Sequence, residues 1–152
     1  MLFRSIDTKV NGQLQFMNNE VSLQPGIPVV SGVSGKLEFT ETGVSLGPLR
    51  GQALGGAIAI SGGSQKDGSI RVRLDGSASA EGLRDYLPAA QRHLLDGRIS
   101  GSSRYTAALQ VRKQAMELNI ESTLQGMALQ LPAPLNKPAT DTLLLQIGRA
   151  HV

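Results

Sequence analysis

Residues 35–46 read GKLEFTETGVSL, and residues 12–23, which stand 23 positions earlier, read GQLQFMNNEVSL. In both runs a G-x-L-x-F segment alternates apolar and polar side chains, a short polar segment follows, and V-S-L resumes the alternation. Alternation with a period of two is typical of a strand that buries one face. Each run is therefore predicted to form a β-hairpin, with turns at Asn18-Asn19 and at Glu41-Thr42-Gly43.

A single hairpin buries too little apolar surface to be stable alone, so two consecutive copies predict that neighbouring hairpins stack or extend one sheet. Gly47-Pro48 is expected to close the second copy, and alternation resumes in the strands that follow. Glycine inside a strand, as at Gly12 and Gly35, favours a bulge or a bend. The sequence predicts a mainly β fold: an extended, curved antiparallel sheet, shaped as a groove or half-barrel, built from repeated hairpins.

The alternation stops at residues 80–95, where leucines recur at helical spacing. Ser79 is a suitable N-cap for a first short helix, and Pro88 can open a second one. We therefore expect a short helical insertion in the sheet. Residues 1–146 are predicted to form a single β-rich segment of a longer protein.

The last six residues, IGRAHV at 147–152, match the translation of a common sequencing adapter, so we expect them to be a non-native tail. Residues 1–7 carry no signal-peptide core, and the longest weakly polar run is far shorter than the roughly 20 residues that span a bilayer. A membrane anchor, if the parent protein has one, is expected outside this segment.

The composition favours no catalytic or nucleic-acid-binding class. Of 152 residues, 40% are hydrophobic but only 3% aromatic, and the net charge of +3 comes from scattered basic residues. Nucleic-acid binding usually needs a basic stripe with aromatic side chains, so none is expected. The chain has no cysteine, which excludes disulfides and thiolate metal sites.

No constellation of residues suits catalysis. His93, the single histidine outside the expected tail, lies in the predicted helix beside Arg92 and is expected to be a surface or capping residue. The spacing of possible ligands predicts no metal site and no cofactor. Four carboxylates flank the helical segment and are expected to act as caps or solvated charges: Asp75, Glu81, Asp85 and Asp96.

A predicted apolar face is the most distinctive feature of the sheet. Such a face must be covered by a second sheet, by a helix or by a ligand, and a plain β-sandwich core is the commoner arrangement. The residues expected on this face are Leu14, Phe16, Leu37, Phe39, Ile58, Ile60, Val72 and Leu74.

Two stretches carry a family resemblance. Residues 122–138 contain S-x-L-x-G, then L-P-x-P and a nearby lysine, Lys137; residues 95–101 read LDGRISG and precede Tyr105-x-Ala107-x-Leu109. With the G-x-L-x-F runs, these segments resemble the YhdP branch of the AsmA-like proteins of Gram-negative bacteria. The motifs are structural, and the family brings no catalytic residues or cofactor.

The resemblance implies a periplasmic protein, anchored in the inner membrane by another part of its chain. Its β-groove would shield phospholipid acyl chains and help to move lipid between the inner and outer membranes. Phospholipid is then the expected partner, and the eight apolar residues above are the expected lipid contacts. The alternative is a non-catalytic structural or assembly repeat, built as a closed β-sandwich, that binds another polypeptide in envelope biogenesis.

Overall fold

The computed structural model describes residues 9–22 and 25–151, with side chains as far as residue 148. Residues 1–7, in which no signal-peptide core is expected, therefore lie outside the described residues. Nine strands form one antiparallel sheet in the order β1-β2-β3-β4-β5-β6-β7-β9, and β8 pairs with β6 beside this path. The strands are β1 (Asn11–Val21), β2 (Val30–Thr40), β3 (Gly43–Ala53), β4 (Gly56–Ser64), β5 (Ile70–Ser79), β6 (Ile99–Arg112), β7 (Ala115–Ser122), β8 (Met127–Leu129) and β9 (Leu145–His151).

The sheet is open, because β1 and β9 end the strand order and do not pair with each other. The prediction of a mainly β chain with one extended antiparallel sheet is confirmed. The closed sandwich is wrong: within the described ranges no second sheet covers the first. Residues 147–151 belong to β9 and pair with β7. Their non-native origin stays a prediction.

The first sequence copy is a single strand and not a hairpin, so the turn predicted at Asn18-Asn19 is wrong. β1 continues through both asparagines, and its register with β2 shifts between Met17 and Asn19. Asn18 has a φ of 61°. An asparagine at positive φ is found in β-bulges as well as in hairpin turns. The sequence alone therefore did not distinguish the bulge from the predicted turn.

The second copy forms the predicted hairpin, with β2 and β3 joined at residues 41–42. Gly47-Pro48 does not close it, because β3 runs on to Ala53. The register between β3 and β4 shifts between Leu46 and Leu49. Proline is tolerated at such an irregularity because no ladder hydrogen bond needs its missing N–H there.

The two G-x-L-x-F copies pair with each other. Gly12 lies opposite Phe39, Leu14 opposite Leu37, and Phe16 opposite Gly35. The Phe39 ring covers Gly12 so closely that a Cβ added at Gly12 would lie 2.0 Å from the ring Cζ. The sequence repeat therefore creates one cross-strand contact between β1 and β2, and glycine supplies the space that the phenyl ring occupies.

The helical insertion lies where the sequence predicts it. Helix α1 (Ala80–Tyr86) begins at Ser79, whose hydroxyl accepts a hydrogen bond of 3.0 Å from the Gly82 N–H. A 3₁₀ helix (Ala89–Leu94) follows, with Pro88 as its N-cap residue. This 3₁₀ helix connects α1 to β6, and connectors are a common place for 3₁₀ turns.

The sheet has two distinct ends. The helical end carries α1, the 3₁₀ helix, the β3–β4 turn and the segment at residues 123–144. The turn end carries the short β2–β3, β4–β5 and β6–β7 connections. At the turn end the Asp67 Oδ1 accepts hydrogen bonds from the backbone N–H and the hydroxyl of Ser69, at 2.9 and 2.5 Å.

The Ser69 contacts lead to a first prediction. Hydrogen bonds from the Ser69 hydroxyl and N–H hold the pKa of Asp67 below its ordinary 3.8. Because the folded pKa is lowered, the stabilisation is fully present above the unfolded pKa and is lost as the pH falls through the folded value. In an NMR titration, we expect the Asp67 midpoint to lie below 3.8 and to rise in Ser69→Ala. An unchanged midpoint in the variant would contradict this cause.

Candidate functional site

The candidate site is the apolar face of the sheet. Residues that pair directly across antiparallel strands point to the same side, so the register defines each face. Leu14 pairs with Leu37, and Ile60 pairs with Leu74. The register places all eight predicted residues on one side: Leu14, Phe16, Leu37, Phe39, Ile58, Ile60, Val72 and Leu74.

The apolar face extends further than the sequence predicted. Leu109 pairs with both Val72 and Leu118, which carries the face across β6 and β7. Ala107 and Ile120 continue it in the neighbouring row. The alternation in β6 and β7 contained this signal, but only the register shows that these residues share a side with β1–β5.

Exposure differs among the residues of the apolar face. Ile58, towards the helical end, is 5% exposed, whereas Leu14 and Phe39, towards the turn end, are 54% and 39% exposed. Val33 and Leu49 are also buried. Apolar side chains therefore pack closely around Ile58, whereas those of Leu14 and Phe39 remain open to a ligand or solvent. Actual lipid contact by the eight residues stays a prediction.

Glycines allow side chains to lie flat on this single layer. A Cβ at Gly76 would lie 2.7 Å from the Tyr105 ring, and one at Gly51 would lie 2.8 Å from Val30. Large side chains thus cover the bare backbone of a neighbouring strand. Burial raises the pKa of Tyr105. The face buries part of its apolar surface without a second layer.

The helical insertion is fixed to the end of the sheet by backbone contacts. The Ser79 N–H donates to the Leu54 carbonyl oxygen at 3.0 Å. The Tyr86 hydroxyl donates to the carbonyl oxygen of Gly26, in the β1–β2 connection. A Cβ at Gly82 would lie 2.0 Å from the Leu54 oxygen, so α1 approaches the β3–β4 turn closely. The insertion therefore joins the ends of four strands.

Lys137, from the L-P-x-P region, is buried with 6% of its surface exposed. Its ammonium group donates to the carbonyl oxygens of Met127, Pro138 and Asp141, the last two at 3.0 Å. The backbone of Lys137 also pairs with Leu129 in β8. The lysine thus fixes the segment after β8 to the helical end. This contact gives Lys137 of the family motif a structural role.

Three of the four carboxylates expected to be caps or solvated charges lie in ion pairs. Asp75 pairs with Arg73 at 3.3 Å, and Arg84 contacts both Asp85 and Asp96. His93 lies exposed in the 3₁₀ helix. No group of three or more metal-ligating side chains is found among the same residues.

A protein-family model described as YhdP protein matches residues 2–150. The chain belongs to the YhdP family. The match confirms the resemblance drawn from the sequence motifs, and with it the family-level link to the AsmA-like proteins. YhdP is not a family of known enzymes. Searches of curated proteins and of solved structures found no match to the chain.

This YhdP-family chain has an open sheet and an apolar face on which Leu14 and Phe39 remain exposed. Among the described residues, no helix has both the length and the apolar character needed to cross a membrane.

Proposed function

We propose that this chain is a segment of a periplasmic, inner-membrane-anchored protein whose β-sheet shields phospholipid acyl chains and helps to move lipid between the two membranes. The segment itself is non-catalytic in this proposal, and its partner is phospholipid. Family membership supports the proposal at the level of the whole protein.

One observation carries the proposal: the apolar face of the described sheet has no second layer over it, yet it bears large exposed side chains such as Leu14 and Phe39. Apolar surface left in water is unfavourable by roughly 25 cal/mol per Å². A covering that is itself apolar therefore stabilises this face, and a face this wide needs an extended occupant.

An acyl chain suits the chemistry of the face. Leucine, isoleucine, valine and phenylalanine side chains offer many interchangeable contacts and no directional hydrogen bonds. Burial of each CH₂ group contributes about 0.8 kcal/mol, so a chain of many CH₂ groups binds well while its position along the face stays variable. Contacts of this kind hold a lipid and still allow it to slide.

Photo-crosslinking in cells tests the proposal. A photoreactive amino acid is placed at Leu14 in the full-length parent protein and, as a matched control, at Gln15, which follows it on the opposite side of β1. We expect labelled lipid to attach at Leu14 and not at Gln15. Attachment of a polypeptide at Leu14 would instead support an assembly role, and attachment of nothing would overturn the lipid proposal.

Leu37→Lys provides a second prediction for the same face. Leu37 is half-buried, so a lysine there can extend its ammonium group towards water. We expect the free energy of unfolding to fall by only about 1–2 kcal/mol, while lipid crosslinking at Leu14, its cross-strand neighbour, is lost. Thermal unfolding and crosslinking are measured on the same variant. A stable variant with unchanged lipid labelling would contradict the prediction.

A further inference from the structure

The opposite face of the sheet carries a depression that the apolar face does not explain. Its volume is about 910 Å³. Its lining includes one cross-strand row of the polar side, in which Arg50 pairs with Ala59, Ala59 with Asp75, and Asp75 with Thr106. Because directly paired residues share a side, this row lies on the face opposite Leu37 and Ile60.

Small side chains form the floor of the depression. Ala57 and Ala59 of β4 and Ser77 of β5 lie between the longer side chains of β3 and β6. Arg50 stands on the β3 side and Arg104 on the β6 side. The result is a shallow site with a guanidinium group at each margin.

The two arginines are available to a ligand. Among the described residues, neither Arg50 nor Arg104 takes part in an ion pair or in a side-chain hydrogen bond. The lining also contains two carboxylates: Asp75 pairs with Arg73 at 3.3 Å, and Glu121 accepts a hydrogen bond from the neutral Gln146 amide at 3.3 Å and keeps its charge. Neither carboxylate contacts Arg50 or Arg104 in an ion pair among the described residues. Guanidinium groups without carboxylate partners favour an anionic ligand, phosphate above all, because their planar donors match its oxygens.

The width of the site sets the size of the ligand. β3 and β6 are separated by three strand spacings, which places their backbones about 14 Å apart. Inorganic phosphate fills only a small part of a site this wide and leaves the hydroxyl-bearing part of the lining without contacts. An organic phosphate with a polar body can extend between the two margins. The hydroxyls of Ser77 and Thr106 line the site and can hydrogen-bond its other oxygens.

We propose that this polar depression binds an organic phosphate, with Arg50 and Arg104 holding its anionic and polar ends across the floor of Ala57, Ala59 and Ser77. The ligand is either a free phosphate ester or the headgroup of an anionic phospholipid at a membrane surface. The site lies on the other side of the sheet from the face that is proposed to shield acyl chains, and it does not depend on that function.

Binding of glycerol 3-phosphate to the purified chain, followed by calorimetry or ligand-observed NMR, tests the site. We expect Arg50→Ala and Arg104→Ala each to weaken binding about tenfold. Arg71→Ala is the matched control, because Arg71 lies exposed on the same face outside the depression and its loss changes the net charge equally. An equal loss in Arg71→Ala would show mere charge attraction and would overturn the proposal.

A pair of alanines tests the floor without changing charge. Ala59→Phe fills the depression and is expected to abolish binding, whereas Ala108→Phe places the same ring on an exposed position of that face outside the site. Both residues are exposed, so both variants are expected to fold, which circular dichroism checks. Binding that survives Ala59→Phe would overturn the assignment of the floor.

Two further probes identify the ligand. Inorganic phosphate is expected to bind at least tenfold more weakly than glycerol 3-phosphate, and equal affinity would overturn the requirement for an organic body. Co-flotation with phosphatidylcholine vesicles, with and without phosphatidylglycerol, tests the lipid source. Flotation only with phosphatidylglycerol, and only when both arginines are present, would assign the site to a headgroup. No binding to any of these probes would overturn the proposal, while lipid crosslinking at Leu14 tests the other face separately.

Discussion

Replacing Lys137 with methionine is expected to lower the free energy of unfolding by about 1–3 kcal/mol. The substitution keeps an unbranched stem of four heavy atoms but removes the ammonium group that donates to the carbonyl oxygens of Met127, Pro138 and Asp141. The Met127 carbonyl is the buried acceptor, and a buried acceptor left without a donor is unfavourable by about 1–3 kcal/mol. The Pro138 oxygen keeps a hydrogen bond from the Asp141 N–H, and residues 138 and 141 are exposed, so water can replace the lysine there.

Chemical denaturation of both proteins measures this difference, with the slope of the unfolding transition checked for two-state behaviour. Lys66→Met is the matched control, because Lys66 is exposed in the β4–β5 connection. Its free energy of unfolding is expected to change by no more than about 0.5 kcal/mol. Similar stability in the two variants would show that the Lys137 contacts contribute little.

Gly82→Ala is the second large effect that we expect. Alanine in the interior of a helix normally stabilises by roughly 1 kcal/mol relative to glycine. Here the new Cβ would lie 2.0 Å from the Leu54 oxygen and 2.4 Å from the Gly55 nitrogen, so α1 must move away from the β3–β4 turn. Overpacking of this kind typically destabilises by about 1–3 kcal/mol, which reverses the sign that helix propensity alone predicts.

Amide hydrogen exchange shows where the Gly82→Ala substitution weakens the structure. The Ser79 N–H donates to the Leu54 carbonyl oxygen, so its protection reports on contact between the helix and the turn. In Gly82→Ala we expect this amide to exchange faster. Gly97→Ala is the control: Gly97 has a φ of +68° and no atom within 4 Å of its added Cβ, so backbone strain destabilises it without moving α1. A stabilised Gly82→Ala protein would contradict the argument.

The sequence predicted the features that depend on local pattern. Alternation identified most of the strands, and Ser79 was correctly expected to cap the helical insertion. Within each strand, the predicted apolar residues lie on one side because side chains alternate with a period of two. That the four strands present these residues on the same face depends on the register.

Features that depend on pairing were missed. Asn18 at positive φ belongs to a bulge in β1, and Pro48 lies at a register shift within β3, although both residues predict turns in isolation. The partner strand decides between these outcomes, because it supplies the hydrogen bonds that keep the chain extended. The contact between the two G-x-L-x-F copies was missed for the same reason.

The candidate site was predicted in part. The residues of β1, β2, β4 and β5 were expected on the apolar face, but Leu109 and Leu118 were not, since only the register shows that β6 and β7 continue the same side. The burial of Lys137 could not be predicted from the sequence either. A lysine near two prolines gives no sign that three backbone carbonyls will surround its ammonium group.

The strand order has a consequence for how this chain acquires its structure. From β1 to β7, each strand hydrogen-bonds the strand that comes next in the sequence, so most loops that must close are short. Low sequence separation between partners favours rapid folding. As the chain emerges from a ribosome or a translocation channel, each new strand finds its template already in place, and the growing edge is always the most recent segment. Such a sheet can form strand by strand, before its C-terminal strands have been synthesised.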